Sequence, residues 1–267
     1  MSTQPSFETI RLAVDGAVAT LTLNRPERLN AAPPQMFGEI RTALQWLPGS
    51  GARVLVITGE GRAFCSGADL QGRALAGNLT RGAGAFKALT EQYGPTMLAL
   101  AELPMPVICA VNGVAAGIGA SLALAGDFVV AAKAAYFLEA FVNIGLVPDG
   151  GATWMLPRLV GKARAMQMMM LGERIPAEQA ESWGLIYKAV DDAEFQGQVA
   201  ALAQRLANAP TLALGLIRKG VARSLQQTYA ETLQMEAAHQ HVAGDSADAA
   251  EGGAAFLEKR KPVFKGE

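Results

Sequence analysis

An α/β fold built around a parallel sheet is what this sequence predicts, and three observations predict it. Val54–Ile57, Pro106–Val111 and Phe128–Ala131 are short apolar runs of the kind buried on both faces of a sheet. Stretches with helical spacing lie between them. No two-residue hairpin turn joins one of these runs to the next, so the connections are crossovers and the strands parallel.

The elements follow in order. Phe7 to Val14 alternates apolar and polar residues, and Asp15-Gly16 turns it back into Ala17–Leu23 as a hairpin. Asn24–Asn30 is a loop. Pro33–Leu47 reads as a helix, with Met36, Ile40, Ala43, Leu44 and Leu47 on one stripe. Gly59 to Gly72 reads as a loop, and Gly72, Gly77, Gly82 and Gly84 precede a helix from Phe86 to Leu103. Another helix follows Gly117. From Pro148 onward the pattern is helical. Ile175-Pro176 opens one helix with proline in its first turn, Gly184 closes it, and Ile186–Val190 is a short strand. Helices then run over Ala193–Asn208, Pro210–Leu225, Tyr229–Val242 and Ala247–Lys259, the third opened by a capping box of Thr228 and Glu231. No repeat or long linker divides the chain. Residues 1–190 are expected to form the α/β core and 191–267 a helical section of the same functional unit.

With 51% hydrophobic and 18% charged residues, the 267-residue chain can bury one large core and still carry a subunit interface. The net charge of −1, with no basic stripe, argues against nucleic acid as a partner. Cys65 and Cys109 are too few for a disulfide framework and fit a reducing, cytoplasmic setting. The N-terminus lacks the basic flank and apolar stretch of a signal peptide, and the longest membrane-like run, Gly113–Gly126, is too short to span a bilayer.

Chemistry is concentrated between Asn112 and Pro157. A Gly/Ala-rich run from Asn112 to Leu122 lets backbone N–H groups approach a ligand, and Leu146-Val-Pro-Asp149-Gly-Gly puts a carboxylate on a turn before a helix. Backbone donors and one acid/base group suffice to stabilise and reprotonate an enolate, which points to an enzyme acting on an acyl thioester. Competing motifs are weaker. Gly117-Ile-Gly119 lacks the third glycine of a dinucleotide fingerprint, and Gly119-Ala-Ser121 lacks the second glycine of a nucleophile elbow. His239 and His241 fall on a polar-faced late helix, and Cys and His show no metal-ligand spacing. Taken locally, Asp149 reads equally as a turn or N-cap residue, and Asp69 and Asp127 as loop braces. The methionines Met166, Met168, Met169 and Met170 read as helix packing. Glu139 stands out in Tyr136–Phe141, a carboxylate among apolar neighbours.

Asn24–Asn30, Phe64-Cys-Ser-Gly-Ala-Asp-Leu70, Pro106–Gly113 and the segment through Leu156-Pro-Arg-Leu-Val-Gly161 resemble the crotonase (enoyl-CoA hydratase/isomerase) superfamily over nearly the whole chain. Within it, Gly145-Leu-Val-Pro-Asp149 and Trp154–Arg158 are similar to the branch of ring-1,2-epoxyphenylacetyl-CoA isomerases of phenylacetate degradation. The resemblance implies a crotonase-like spiral of ββα and βαβ turns, with a C-terminal helical section that forms homotrimers, often paired into hexamers. It implies an oxyanion hole from the backbone N–H groups of Ala68 and Ile118, and Asp149 as acid/base. Ile118 stands where glycine is usual, so its side chain must point away or narrow the pocket. Ser121 and Phe141 occupy the positions of the two hydratase glutamates, so neither of those carboxylates exists here.

Binding positions implied by the resemblance are Arg28, Leu29, Ala31, Ser66, Asp69, Leu70 and Gly117, together with Ser121 and Phe141. Arg28 would meet CoA phosphates, and Phe256 and Lys259 of a neighbouring subunit would cover the adenine end. Gly72–Gly84 would shape the acyl pocket. Coenzyme A enters as part of the thioester substrate, with no cofactor bound permanently and no metal. The expected activity is therefore acyl-CoA isomerisation through a thioester enolate. The alternatives are an enoyl-CoA hydratase using Glu139 as a relocated carboxylate, or a catalytically idle CoA-thioester scaffold.

Overall fold

The computed structural model describes residues 3–70 and 80–267. Strands β1 (Ile10–Asp15) and β2 (Val18–Leu23) form the expected hairpin around Gly16. Helix α1 (Pro34–Trp46) buries Met36, Phe37, Ile40, Ala43 and Leu44. After β3 (Val54–Gly59) comes a strand where a loop was expected, β4 (Ala63–Cys65). Helix α2 (Arg81–Ala88) starts five residues ahead of its expected beginning, capped by Thr80 Oγ1, which accepts from Ala83 N at 3.2 Å. Gly82 and Gly84 lie in it, while Gly72 and Gly77 fall outside the described residues. A π turn, Leu89–Tyr93, then leads into α3 (Gly94–Glu102). Pro95 has no N–H to donate to the Glu91 carbonyl, which accepts from Arg41 Nη1 instead.

The chain continues through β5 (Val107–Val111), β6 (Val114–Ala116), α4 (Ile118–Leu124), β7 (Phe128–Ala132) and β8 (Tyr136–Leu138). Helix α5 (Ala152–Leu171) is two helical runs joined at Gly161, whose φ of 75° lies outside the helical region. Met168 is buried in it, but Met170 is 63% exposed, so the methionine cluster is only partly core. Ile175-Pro176 does not open a helix: it belongs to β9 (Arg174–Pro176), and α6 (Ala177–Ser182) starts after it. Pro176 is tolerated there because β9 is the edge of its sheet and lacks a partner on one side. Strand β10 (Lys188–Val190) and helices α7 (Phe195–Ala207), α8 (Thr211–Ser224), α9 (Tyr229–Gly244) and α10 (Ala247–Leu257) complete the chain. The Thr228–Glu231 capping box opens α9 as expected.

Two sheets result. The larger runs β1-β2-β3-β5-β7-β10, parallel from β2 onward, and the smaller runs β4-β6-β8-β9, with β4, β6 and β8 parallel. The pairs β3/β4, β5/β6 and β7/β8 each send one strand to either sheet, so the chain advances as a spiral of repeating turns. The principal core fills the space between the sheets and α1, α3 and α4, and α7 covers the other face of the large sheet through Phe195, Val199, Ala203 and Leu206. Asp127 braces the turn before β7: it accepts from Val107 N at 2.7 Å and pairs with Arg218 of α8. Asn30 and Asn112 tie the loop around Glu60–Ala63 to the sheets through side-chain amides. Both cysteine thiols are buried, which pushes them up to about 11 for Cys65 and about 12 for Cys109, so neither is a ready nucleophile. No helix among the described residues is long and apolar enough to cross a membrane.

Helix α4 packs on β4 so closely that a β-carbon on Gly119 would collide with the Cys65 carbonyl oxygen and lie 2.7 Å from Cys65 Cβ. Backbone cannot yield as a side chain can. Gly119→Ala should therefore lower the unfolding free energy by about 1–3 kcal/mol, seen as a lower urea midpoint with an unchanged slope; an unaltered midpoint would refute the close packing of α4 on β4.

Candidate active site

Parallel neighbours end on the same side of a sheet, and ligand sites gather beyond the carboxyl ends of such strands. Strands β4, β6 and β8 end at Cys65, Ala116 and Leu138, in a register that aligns Cys65 with Ala115 and Ala116 with Leu138. The next residues, Ser66-Gly67-Ala68, Gly117-Ile118 and Glu139-Ala140-Phe141, therefore emerge side by side. Gly67 (φ 108°) and Gly117 (φ 51°) adopt conformations that favour glycine. The two turns lie close together: a β-carbon on Gly117 would stand in van der Waals contact with the Phe141 ring at 3.6 Å and with Gly67 Cα at 3.9 Å.

This arrangement leaves two backbone donors in adjacent turns. Ala32 N donates to Gly67 O at 2.8 Å and Asp69 N donates to Ala32 O at 3.0 Å, a parallel bridge that uses the groups flanking Ala68. The Ala68 N–H consequently faces away from Ala32. Ile118 is the first residue of α4 and has no preceding turn to donate to. Among the described residues neither N–H finds an acceptor. The Ile118 side chain is 2% exposed and directed into the core: a β-carbon on Gly150 would collide with its Cδ1. It thus reaches the turn that carries Asp149.

Asp149 sits just before α5, where Gly150 and Gly151 have φ of 62° and 92°. Gly151 is the N-cap of α5 and no side chain caps it, so Asp149 is not that helix's cap. The Ser121 hydroxyl donates to the Asp149 carbonyl at 2.8 Å, and a β-carbon on Gly150 would lie 2.8 Å from Ser121 Cβ. Ser121 thereby anchors the backbone of the Asp149 turn to α4. Gly150, whose need for glycine reflects this contact, was hidden within an ordinary-looking Pro-Asp-Gly-Gly turn.

Glu139 is fully buried, and neither of its carboxyl oxygens has a hydrogen-bond partner among the described residues. Burial, reinforced by the charge of Asp149, pushes it up to about 8.

The remaining expected residues divide into two groups. Arg28–Ala31 runs along the Gly67 turn: Ser66 N donates to Leu29 O at 3.0 Å, Ser66 Oγ to Arg28 O, and Arg25 Nη1 to Ala31 O. Asp69, 6% exposed, pairs with Arg25 at 2.8 Å and braces that loop. Leu70 is half exposed at the edge of the described residues, and most of the Gly72–Gly84 segment lies outside them. Phe256, 83% exposed, and Lys259 stand at the end of α10, which packs on α9, so they gather with the C-terminal helices and not with the Gly67 and Gly117 turns.

The chain as a whole is similar to known proteins. The enoyl-CoA hydratase/isomerase family model matches residues 13–267, and the chain belongs to that family. It is 46% identical over 263 residues to 1,2-epoxyphenylacetyl-CoA isomerase of Escherichia coli K12, covering 98% of this chain and 100% of that protein. It is also 46% identical over 262 residues to a Rhodobacter capsulatus protein named probable enoyl-CoA hydratase, covering 98% of this chain and 99% of the relative. Among solved structures, enoyl-CoA hydratase from Bacillus anthracis superposes with a TM-score of 0.90 at 32% identity, covering 97% of this chain and 100% of that one. The crotonase spiral expected from the sequence is thus the fold observed.

The buried Glu139 carries a sign for stability. Its stabilising contribution is fully present below the unfolded glutamate value of about 4.3. It is lost as pH rises toward the folded value of about 8, because the native state holds a proton that the unfolded chain has released. Wild-type thermal stability should therefore fall between those limits, and Glu139→Gln should flatten the slope and raise the melting temperature at pH 8. A variant whose stability follows the wild-type pH curve would contradict this.

Proposed function

We propose that the protein is an acyl-CoA isomerase working through a thioester enolate, with Asp149 as its proton shuttle and an epoxyphenylacetyl-CoA or enoyl-CoA as substrate. One observation carries the reading: Ser121 and Ile118 of α4 hold the Asp149 turn beside the start of that helix, and by the family resemblance Ser121 and Phe141 fill the positions that hold glutamates in hydratases. The N–H groups of Ala68 and Ile118 receive the thioester oxygen, and each such donor contributes about 3–4 kcal/mol to the transition state. Asp149 takes a proton from the acyl chain and returns it to another carbon, or assists opening of an epoxide beside the enolate. One carboxylate suffices for this, whereas hydration also needs a group that activates water. The name of the E. coli relative supports the isomerase reading.

Coenzyme A belongs to the substrate in this reading, its phosphates near Arg28 and its adenine end near Phe256 and Lys259 of a neighbouring protomer. Ile217 and Val221 on α8 and Leu225 just after it, with Leu233 and Val242 on α9, leave apolar surface exposed on the single chain, as trimer formation requires. Light scattering at micromolar concentration should give a trimer or hexamer; a stable monomer would remove the cross-subunit role of Phe256 and Lys259.

A hydratase is the second reading, favoured by the buried Glu139 and by the name of the R. capsulatus relative. The decisive experiment offers purified protein a panel of CoA thioesters and separates products chromatographically, because isomers share one mass. Asp149→Asn should bind thioesters normally but lose turnover by about 10² or more, and crotonyl-CoA should be hydrated poorly. Rapid formation of 3-hydroxybutyryl-CoA that disappears in Glu139→Gln would establish the hydratase instead.

A further inference from the structure

In α10 only Asp248 and Ala255 are buried, and α9, on which it packs, buries no residue, so apolar packing within the chain does little to fix its direction. Polar contacts do so instead. The chain reverses after the helix at Lys259 (φ 55°), where Lys259 N donates to Phe256 O at 3.3 Å and Arg260 N to Ala255 O at 3.0 Å. Residues 260–267 then run back along the helix. Glu251 accepts from both terminal nitrogens of Arg260, at 2.6 and 2.9 Å, and from Val263 N at 2.8 Å. One turn earlier Asp248, 4% exposed, accepts from Lys265 N at 2.6 Å and Gly266 N at 2.7 Å. Between them Phe264 packs at Gly252, where a β-carbon would stand 3.5 Å from its ring. Arg53, at the entry to β3, donates to Phe264 O, Ala209 O and Thr211 Oγ1, and so fastens the returning segment to the large sheet and the start of α8.

We propose that residues 260–267 act as a strap that positions the exposed end of α10 over the nucleotide end of coenzyme A, with Asp248 and Glu251 as the positioning residues. What the strap presents is an aromatic face and a cation three residues apart: Phe256 is 83% exposed, and Lys259 is exposed on the reversal itself. An aromatic ring stacks on a purine and an ammonium pairs with phosphate, so the two suit an adenosine phosphate. Lysine in a left-handed backbone conformation is disfavoured where glycine would be free, and the hydrogen bonds of the reversal and the strap hold it there. Arg260 is not a further phosphate contact, because Glu251 and Glu258 take its guanidinium. This role rests on the reading that puts Phe256 and Lys259 at the adenine end of a neighbouring protomer's coenzyme A.

The test compares ligands with and without the nucleotide. Amide hydrogen exchange should show Lys265 and Gly266 protected in the wild type and exposed in Asp248→Asn, with Glu251→Gln as the milder variant should the first fold poorly. At unchanged assembly, either variant should bind free coenzyme A about three- to tenfold more weakly by calorimetry. In the thioester assay KM for an acyl-CoA should rise by the same factor with kcat unchanged, and KM for the matching acyl-pantetheine, which lacks the nucleotide, should not move. Phe256→Ala should have the same effect, and adding Asp248→Asn to it should weaken binding no further. An equal loss toward acyl-CoA and acyl-pantetheine would overturn the proposal. So would unaltered coenzyme A affinity in a folded variant whose Lys265 and Gly266 amides exchange freely, or equal protection of those amides in wild type and both variants. A wild type that binds no coenzyme A would remove the underlying reading and the strap's role with it. Absent turnover, with coenzyme A affinity responding as expected, would sink the isomerase reading and sustain the strap.

Discussion

The site depends on the close approach of two turns, Gly67-Ala68 and Gly117-Ile118, at the ends of adjacent parallel strands. A β-carbon at Gly117 would meet both the Phe141 ring and Gly67 Cα, and Gly67 has the Ala116 carbonyl 3.2 Å from where its own β-carbon would stand. Both turns also need the positive φ that glycine adopts freely. Each turn leaves one N–H without an acceptor in the described chain, one because the Ala32 bridge uses the groups on either side of Ala68, the other because a helix begins at Ile118. Two donors are thus fixed by the sheet itself, without any flexible side chain, which is the preorganisation that stabilising an oxyanion requires.

Asp149 is held by different means. Ser121 reaches from α4 to its carbonyl, Ile118 packs beneath Gly150, and the two glycines supply the left-handed backbone that the turn needs. The helix that begins at Ile118 therefore also sets the position of Asp149. That coupling gives Ser121 a structural role: its hydroxyl positions backbone and needs no basic partner.

Legibility in the sequence followed element length. Strands β2, β3, β5 and β7 have five or six residues and read clearly as apolar runs. Strands β4, β6, β8 and β9 have three residues each, too few to show a period, and the small sheet that frames the site went unread. Ile175-Pro176 was misassigned for a related reason, since a proline after an apolar residue suits an edge strand as well as a helix start. Asp149 was visible as a carboxylate in a turn, but its anchor, Ser121, lies twenty-eight residues away. Glu139 was conspicuous as an acid in an apolar run, whereas its complete burial without a hydrogen-bond partner among the described residues depends on the tertiary packing around β8, and no local pattern records that.

The most direct test of the central claim is the vibrational spectrum of a bound, slowly reacting acyl-CoA labelled with carbon-13 at the thioester carbonyl. If the Ala68 and Ile118 N–H groups meet at one oxygen, the carbonyl stretch should move to lower frequency on binding, and the shift should persist in Asp149→Asn. A bound thioester whose carbonyl stretch matches its value in water would contradict the account.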